Sequence, residues 1–253
     1  MWTKTRPTRS APVTGPSLSA DLATAFAAAA RVLDGASEVD AVRARQAAHA
    51  MSAALAAAPG ADPATVVDEC GVDRDGLADA LSHAADHVAD IGPLAALAGH
   101  LHPAGWWWTE PLRIFDDGLL DALRAEAAPG VTTEEAPVLA ALCASDVVAD
   151  AAGRAAGRTL VPALAAAYQF DEELPIHLDR EPFSFVLHVV LEHRFPEGAQ
   201  PARLRVLGPA GQEWLSPREG EGLVLAGRGT LHCWEPLAEG EHRTMIAIGL
   251  TPG

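Results

Sequence analysis

Between residues 17 and about 102 the apolar positions recur at helical spacing, and no stretch alternates apolar with polar. Leu22, Phe26, Ala30 and Leu33 fall on one face behind a serine cap, and Gly35 closes the segment. Ser37 with Asp40 opens a second, Ala-rich helix that ends at Pro59-Gly60, and Asp62-Pro63 starts a third. Asp73 starts a fourth, expected to run to about Gly92. The pattern predicts a small helical bundle, either a separate cap or a set of helices packed on a later sheet.

After the stretch HPAGWWWTEP the period changes. PLRIFDDGLLDALRAEA reads as a short strand, an Asp116 cap and a helix, and SDVVADAAGRAAGRTLVPALAAAYQF as a helix passing through Gly157 into a strand. From there on, FSFVLHVVLEHRF, ARLRVLG, EGLVLAG, TLHCWEPL and RTMIAIGLT are short β-like runs separated by turn residues, with no helix between them. Strands at that spacing suggest a sandwich or an open barrel such as a jelly roll. The expected organisation is a disordered arm over 1–16, a helical region over 17–105 and a β domain over 106–253, making the fold class α+β.

Charge and composition narrow the partners. The formal net charge is −16, distributed as −5 up to residue 105 and −11 beyond it, so both parts repel phosphate backbones and nucleic acid is not an expected partner. The Ala-rich runs are broken by charges, and no membrane span is expected. Three widely spaced cysteines, Cys70, Cys143 and Cys233, give no zinc-type Cys-x-x-Cys pair and suit a reducing compartment, so a cytoplasmic location is expected. A small-molecule substrate is expected, with a homodimer left open.

The candidate chemistry lies in LPIHLDREPFSFVLH. With 10 His and 17 Asp in 253 residues, chance alone supplies about 0.7 His-x-Asp triplets, so His177-Leu178-Asp179 is uninformative by itself. On extended backbone, however, side chains two apart share a face, and His177 and Asp179 can then reach one metal while Leu178 packs behind them. His232 follows a Gly-rich turn at the start of another β-like run. Two imidazoles and one carboxylate form a facial triad that leaves coordination positions open on Fe(II). Arg243 begins the last β-like run, where its planar fork suits a carboxylate.

His177-x-Asp179, His232, Pro236, Gly240 and Arg243, in this order, resemble the Fe(II)- and 2-oxoglutarate-dependent oxygenase superfamily, in particular its prolyl-hydroxylase-like and phytanoyl-hydroxylase-like members. The resemblance runs from LRIFDDGLLDALRAEA to the C-terminus, with Tyr168 where prolyl-hydroxylase-like members carry a strand tyrosine. It implies a double-stranded β-helix core, with Fe(II) held by His177, Asp179 and His232. It further implies 2-oxoglutarate bound through Arg243 and Tyr168, O₂ as the oxidant, and hydroxylation of an amino acid or biosynthetic intermediate. The related halogenases replace the carboxylate ligand by a small residue, so the retained Asp179 argues for hydroxylation or another oxidation.

Two other readings remain. A cupin-like metal dioxygenase would keep the barrel and the metal without 2-oxoglutarate, and an inert barrel would serve binding or assembly. Taken singly each residue is ordinary: a strand histidine is usually hydrogen-bonded structure, and Arg243 could pair with Glu239 or Glu241. Asp79, His83 and His87 share a helical face but lack the glutamate of a His-Glu-x-x-His motif, so they read as a solvated polar face. The Trp106–Trp108 cluster reads as packing between modules, with one Trp as a candidate wall of the substrate pocket. Cys233 reads as core filler. Pro182 breaks the register ahead of His188 and leaves its orientation open.

Overall fold

A computed structural model describes residues 16–127, 131–169, 174–180 and 182–253. The arm expected over 1–16 lies, but for its last residue, outside them. The first five helices are α1 (Pro16–Val32), α2 (Val39–Ala57), α3 (Pro63–Cys70), α4 (Arg74–Ala84) and α5 (Gly92–Leu101). Asp62 and Pro63 start α3 as expected, and the Asp73 carboxylate accepts from Gly76 N–H to cap α4. Two expectations need correction. Glu38, not Ser37, is the N-cap of α2. The segment after Asp73 is two helices: α4 tightens into a 3₁₀ turn at Ala85–His87, and Gly92-Pro93 begins α5, because proline favours a first helical turn over an interior.

The remaining elements are β1 (Leu112–Arg113), α6 (Asp117–Glu126), α7 (Pro137–Ala144), α8 (Asp146–Ala156), β2 (Leu160–Gln169), β3 (Phe185–Arg194), β4 (Leu204–Gly208), β5 (Gly211–Leu215), β6 (Glu221–Leu225), β7 (Leu231–Trp234) and β8 (His242–Pro252). Asp116 caps α6 by accepting from Leu119 N–H at 2.8 Å, and Gly157 ends α8 in the left-handed conformation before β2. The strands form two antiparallel sheets, ordered β1-β6-β3-β8-β2 and β5-β4-β7. This is a double-stranded β-helix core. β5, running GQEWL, gave no period-2 apolar signal because its first half is exposed and polar.

Alternation along the strands divides the side chains among three cores. Val186, Val190, Leu204, Val206, Leu223, Leu225, Trp234, Met245 and Ala247 meet between the sheets. The opposite face of the five-stranded sheet, carrying Phe185, Leu187, Val189, Ile246 and Ile248, is covered by α6, α7 and α8. The outer side of the three-stranded sheet is covered by α1 to α5, whose core takes in Leu178, Leu207 and Leu231 from the barrel. The N-terminal helices are therefore packed directly on the minor sheet, the second of the two arrangements the sequence allowed. Each such buried leucine contributes about 1.5–3 kcal/mol to that contact.

The tryptophan segment fastens these layers. Trp107 N–H donates to Thr230 Oγ1 at 3.0 Å, Trp107 packs edge-on to Phe185, and Trp108 bridges to Leu225 while its Nε1 donates to Glu213. Trp108 also packs against the inter-sheet core, which supports the packing role. No helix among the described residues is long and apolar enough to cross a membrane. No disulfide joins Cys70, Cys143 and Cys233.

Candidate metal centre

His232 lies on β7 and points between the sheets, as does Trp234 two residues on, while Leu231 faces the helices. His177 is paired to His232 through the backbone in both directions: His177 N–H donates to His232 O at 2.9 Å, and His232 N–H to His177 O at 3.0 Å. Asp179 N–H donates to Gly227 O at 2.9 Å. A Cβ on Gly227 would collide with Asp179 Oδ2 and the Phe183 carbonyl, so the Gly-rich turn is what lets the carboxylate approach. These ties bring one ligand atom from each of His177, Asp179 and His232 within 4.8 Å of one another.

The hydrogen bonds behind the imidazoles decide what their front edges can do. His177 Nδ1 lies 2.7 Å from Pro175 O, and His232 Nδ1 lies 2.9 Å from Thr230 O. A carbonyl accepts only, so Nδ1 carries the proton in both rings and each Nε2 presents a lone pair. His177 Nε2 stands 3.7 Å from Asp179 Oδ1 and His232 Nε2 stands 3.7 Å from Asp179 Oδ2. That is too long for a hydrogen bond, and within the roughly 4.2 Å that a single ion with bonds of about 2.1 Å can span. Asp179 Oδ2 and His232 Nε2 are buried without a hydrogen-bond partner.

Electrostatics point the same way. Burial first, then the neighbouring His232, depresses His177 to about 4, and burial depresses His232 to about 4, so both imidazoles are neutral at pH 7. Burial raises Asp179 to about 6, against the pull of His177. A buried carboxylate between two neutral rings lacks a counter-charge among its protein neighbours, which a divalent cation would supply. The residues present fit a metal ion.

Arg243 also points between the sheets, with its side chain fully buried. Its Nη1 donates to Ala202 O at 3.3 Å and its guanidinium carbon sits 4.0 Å over the Trp234 ring, while Nε and Nη2 have no hydrogen-bond partner. The pairing with Glu239 or Glu241 considered from sequence is not what holds it. Glu241 accepts from His193 Nε2 at 2.6 Å and from Ala202 N–H at 2.7 Å, and attracts Arg243 only through space. Tyr168 borders the inter-sheet core, and its phenol is pushed up by burial and then by Asp179, which keeps it a hydroxyl donor.

In this ordered triad and the arginine that follows it, the chain resembles the Fe(II)- and 2-oxoglutarate-dependent oxygenases. No family model and no curated protein matches it. Among solved structures, it is similar to the non-heme α-ketoglutarate-dependent epimerase SnoN from nogalamycin biosynthesis, with 14% identity over 57% of this chain and 77% of that one, and a TM-score of 0.48. HygX from Streptomyces hygroscopicus, with nickel and 2-oxoglutarate bound, matches at 16% identity over 58% and 83% of the two chains with a TM-score of 0.43. A Pseudomonas putida prolyl-4-hydroxylase matches at 16% identity over 63% and 99% with a TM-score of 0.43.

Two further residues belong to this interior. His188 on β3 faces inward, its ring 5.8 Å from that of His232 and 6.3 Å from that of Trp234, and neither of its nitrogens has a partner. Burial, followed by His232, His177 and Arg243, holds it well below the usual histidine value, which places it within electrostatic reach of both the triad and the arginine. Trp234 Nε1 is likewise buried without an acceptor. Alternation from His232 would have placed Trp234; the register break at Pro182 concealed His188. His83 and His87 are exposed, and among the described residues only His177, Asp179 and His232 form a metal-type cluster.

Proposed function

We propose that this chain is an Fe(II)- and 2-oxoglutarate-dependent oxygenase that hydroxylates a C–H bond of a small molecule such as an amino acid or a biosynthetic intermediate. The observation that carries this reading is a pair of unsatisfied chemistries in one interior. At one end a His-Asp-His cluster presents a buried carboxylate oxygen and an imidazole nitrogen without hydrogen-bond partners, and at the other a buried guanidinium presents two unpartnered nitrogens. Burying such groups unpaired costs several kcal/mol each, a cost relieved when a cation and a dicarboxylate are bound.

His177, Asp179 and His232 would hold the iron, which when bound supplies O₂ activation coupled to oxidation of 2-oxoglutarate. The overall balance is one substrate C–H, one 2-oxoglutarate and one O₂ giving the alcohol, succinate and CO₂. The chain's own contributions can be stated residue by residue. The Pro175 and Thr230 carbonyls fix both imidazoles in the ligating tautomer. Arg243 offers Nε and Nη2 to the distal carboxylate, its plane held by stacking on Trp234. His188, neutral, adds an N–H donor between the two ends, and the Val, Leu and Met side chains of the inter-sheet core exclude water. Asp179 occupies the third ligand position, favouring oxygen rather than halide transfer.

Purified protein given Fe(II), 2-oxoglutarate and O₂ should release succinate, and His232→Ala should abolish that release. Succinate formation that persists in His232→Ala, or is absent from the wild type with every substrate screened, would overturn the proposal. The stacking of Arg243 on Trp234 favours one alternative, a dioxygenase without 2-oxoglutarate in which the arginine is structural. Substrate oxidation that proceeds with no 2-oxoglutarate consumed would identify it.

A further inference from the structure

The structure assigns helix α4 a role in the metal centre: through Asp75, Asp79 and Ser82 it clamps the two chain segments that carry and seat Asp179. These residues fall at i, i+4 and i+7, one stripe of the helix. Leu178, between the two ligands of the His177-x-Asp179 pair, buries its side chain in the helical core and donates its N–H to Ser82 Oγ at 3.1 Å. Ser82 in turn donates to Ala78 O at 3.1 Å, one turn back, so its hydrogen is committed and its lone pair is fixed toward Leu178. Arg180, the residue after Asp179, makes a two-pronged contact with Asp79, Nε to Oδ1 at 3.0 Å and Nη2 to Oδ2 at 3.1 Å, and its Nη1 reaches Asp40 of α2 at 3.0 Å. On the other side of the carboxylate, Arg228 pairs with Asp75 next to Gly227, whose carbonyl accepts from Asp179 N–H.

The ligand segment is therefore fixed from two directions. The barrel holds its metal-facing side through the His177–His232 and Asp179–Gly227 backbone bonds, and α4 holds its back. The Ser82 contact is the stronger part, since it satisfies a half-buried backbone donor, whereas the Arg180 and Arg228 pairs are largely solvent-exposed and act mainly through geometry. Asp79, Asp75 and Ser82 are positioning residues: they touch no ligand, and they fix the direction in which Asp179 and His177 present theirs. Because ligand-supporting contacts typically govern metal affinity by 10- to 100-fold, the N-terminal helices are part of the centre rather than an attachment to it.

This inference rests on the metal centre of the proposed function and not on its cosubstrate. The test compares Co(II) affinity and Leu178 amide exchange in the full-length wild type, Ser82→Ala, Asp79→Ala, the double variant, Ser82→Thr and Asp68→Ala. Asp68 pairs with Arg74 and His100 inside the helical region and touches neither ligand segment, so its variant reports general loosening. We expect Co(II) affinity to fall about 10-fold in each single variant and up to about 100-fold in the double, with faster Leu178 exchange, recovery in Ser82→Thr and no change in Asp68→Ala. Wild-type affinity in the double variant, or an equal loss in Asp68→Ala, overturns the clamp. If the wild type binds no Co(II), the metal reading fails, and the clamp is then decided by Leu178 exchange alone: equal protection in wild type and Ser82→Ala overturns it.

Discussion

Replacing Arg243 by Met should make the ligand-free protein more stable while removing its capacity for 2-oxoglutarate. The wild-type guanidinium is fully buried, with one weak hydrogen bond at 3.3 Å and two unpartnered nitrogens. Burial, opposed by the attraction of Glu241 and then Glu235, depresses it from the usual arginine value to about 10, which corresponds to about 3 kcal/mol against the charged form. The folded state holds this proton less tightly than the unfolded chain, so the penalty is present at pH 7 and fades only as pH rises above about 10. Met keeps the length and the contact with Trp234 but forfeits the cation–π attraction, about 2 kcal/mol at a desolvated site. The balance is a gain of about 1 kcal/mol, or roughly 2–4 °C in Tm for a chain of this size. Thermal unfolding followed by circular dichroism, with and without 2-oxoglutarate in the presence of an inert divalent metal, measures both limbs. At a hundredfold excess over Kd the wild type should gain about 2.7 kcal/mol and the variant nothing. A lower Tm for ligand-free Arg243→Met would show that the cation is already satisfied within the fold and refute its role as a waiting anion site.

Gly227→Ala forces a methyl group into Asp179 Oδ2 and should weaken metal binding on the order of 100-fold; unchanged metal content after dialysis would show that Asp179 is not a ligand. His188→Leu removes an inward N–H donor without touching the triad, so 2-oxoglutarate affinity should fall about 10-fold with Co(II) affinity unchanged, and equal affinities by calorimetry would exclude the contact. In the metal-free protein the Asp179 carboxyl, raised to about 6, is protonated below that pH and must lose its proton to bind a cation. Co(II) affinity should therefore be level above about pH 6 and drop roughly tenfold per unit below it. A flat profile between pH 5 and 7 would contradict this.

The order His177, Asp179, His232 and Arg243 was legible in the sequence because each residue sits in or beside extended backbone, where side-chain direction follows from parity. The strands were legible for the same reason, apart from β5, whose polar edge gives no alternating signal. What parity could not carry was position across a break. His188 lies beyond Pro182, and its inward aim emerges only from the β3–β8 and β3–β6 registers. The support from α4 was hidden for a different reason. Asp79 and Ser82 are ordinary polar residues on a helix, and only the packing of α1–α5 on the minor sheet turns them toward Leu178 and Arg180. Arg243's isolation was also invisible, since nearby glutamates suggested partners that the fold gives instead to His193 and Ala202.

The central claim is that one interior binds a metal at the His-Asp-His cluster and a 2-oxo dicarboxylate between that metal and Arg243. Anaerobic titration of the protein with Fe(II) and 2-oxoglutarate, followed by visible absorption, tests it most directly. A metal-to-ligand charge-transfer band should grow to one equivalent of each only when both are present, vanish in His177→Ala, and require far more 2-oxoglutarate in Arg243→Met. No band in the wild type, or a band of equal affinity in Arg243→Met, would contradict the account.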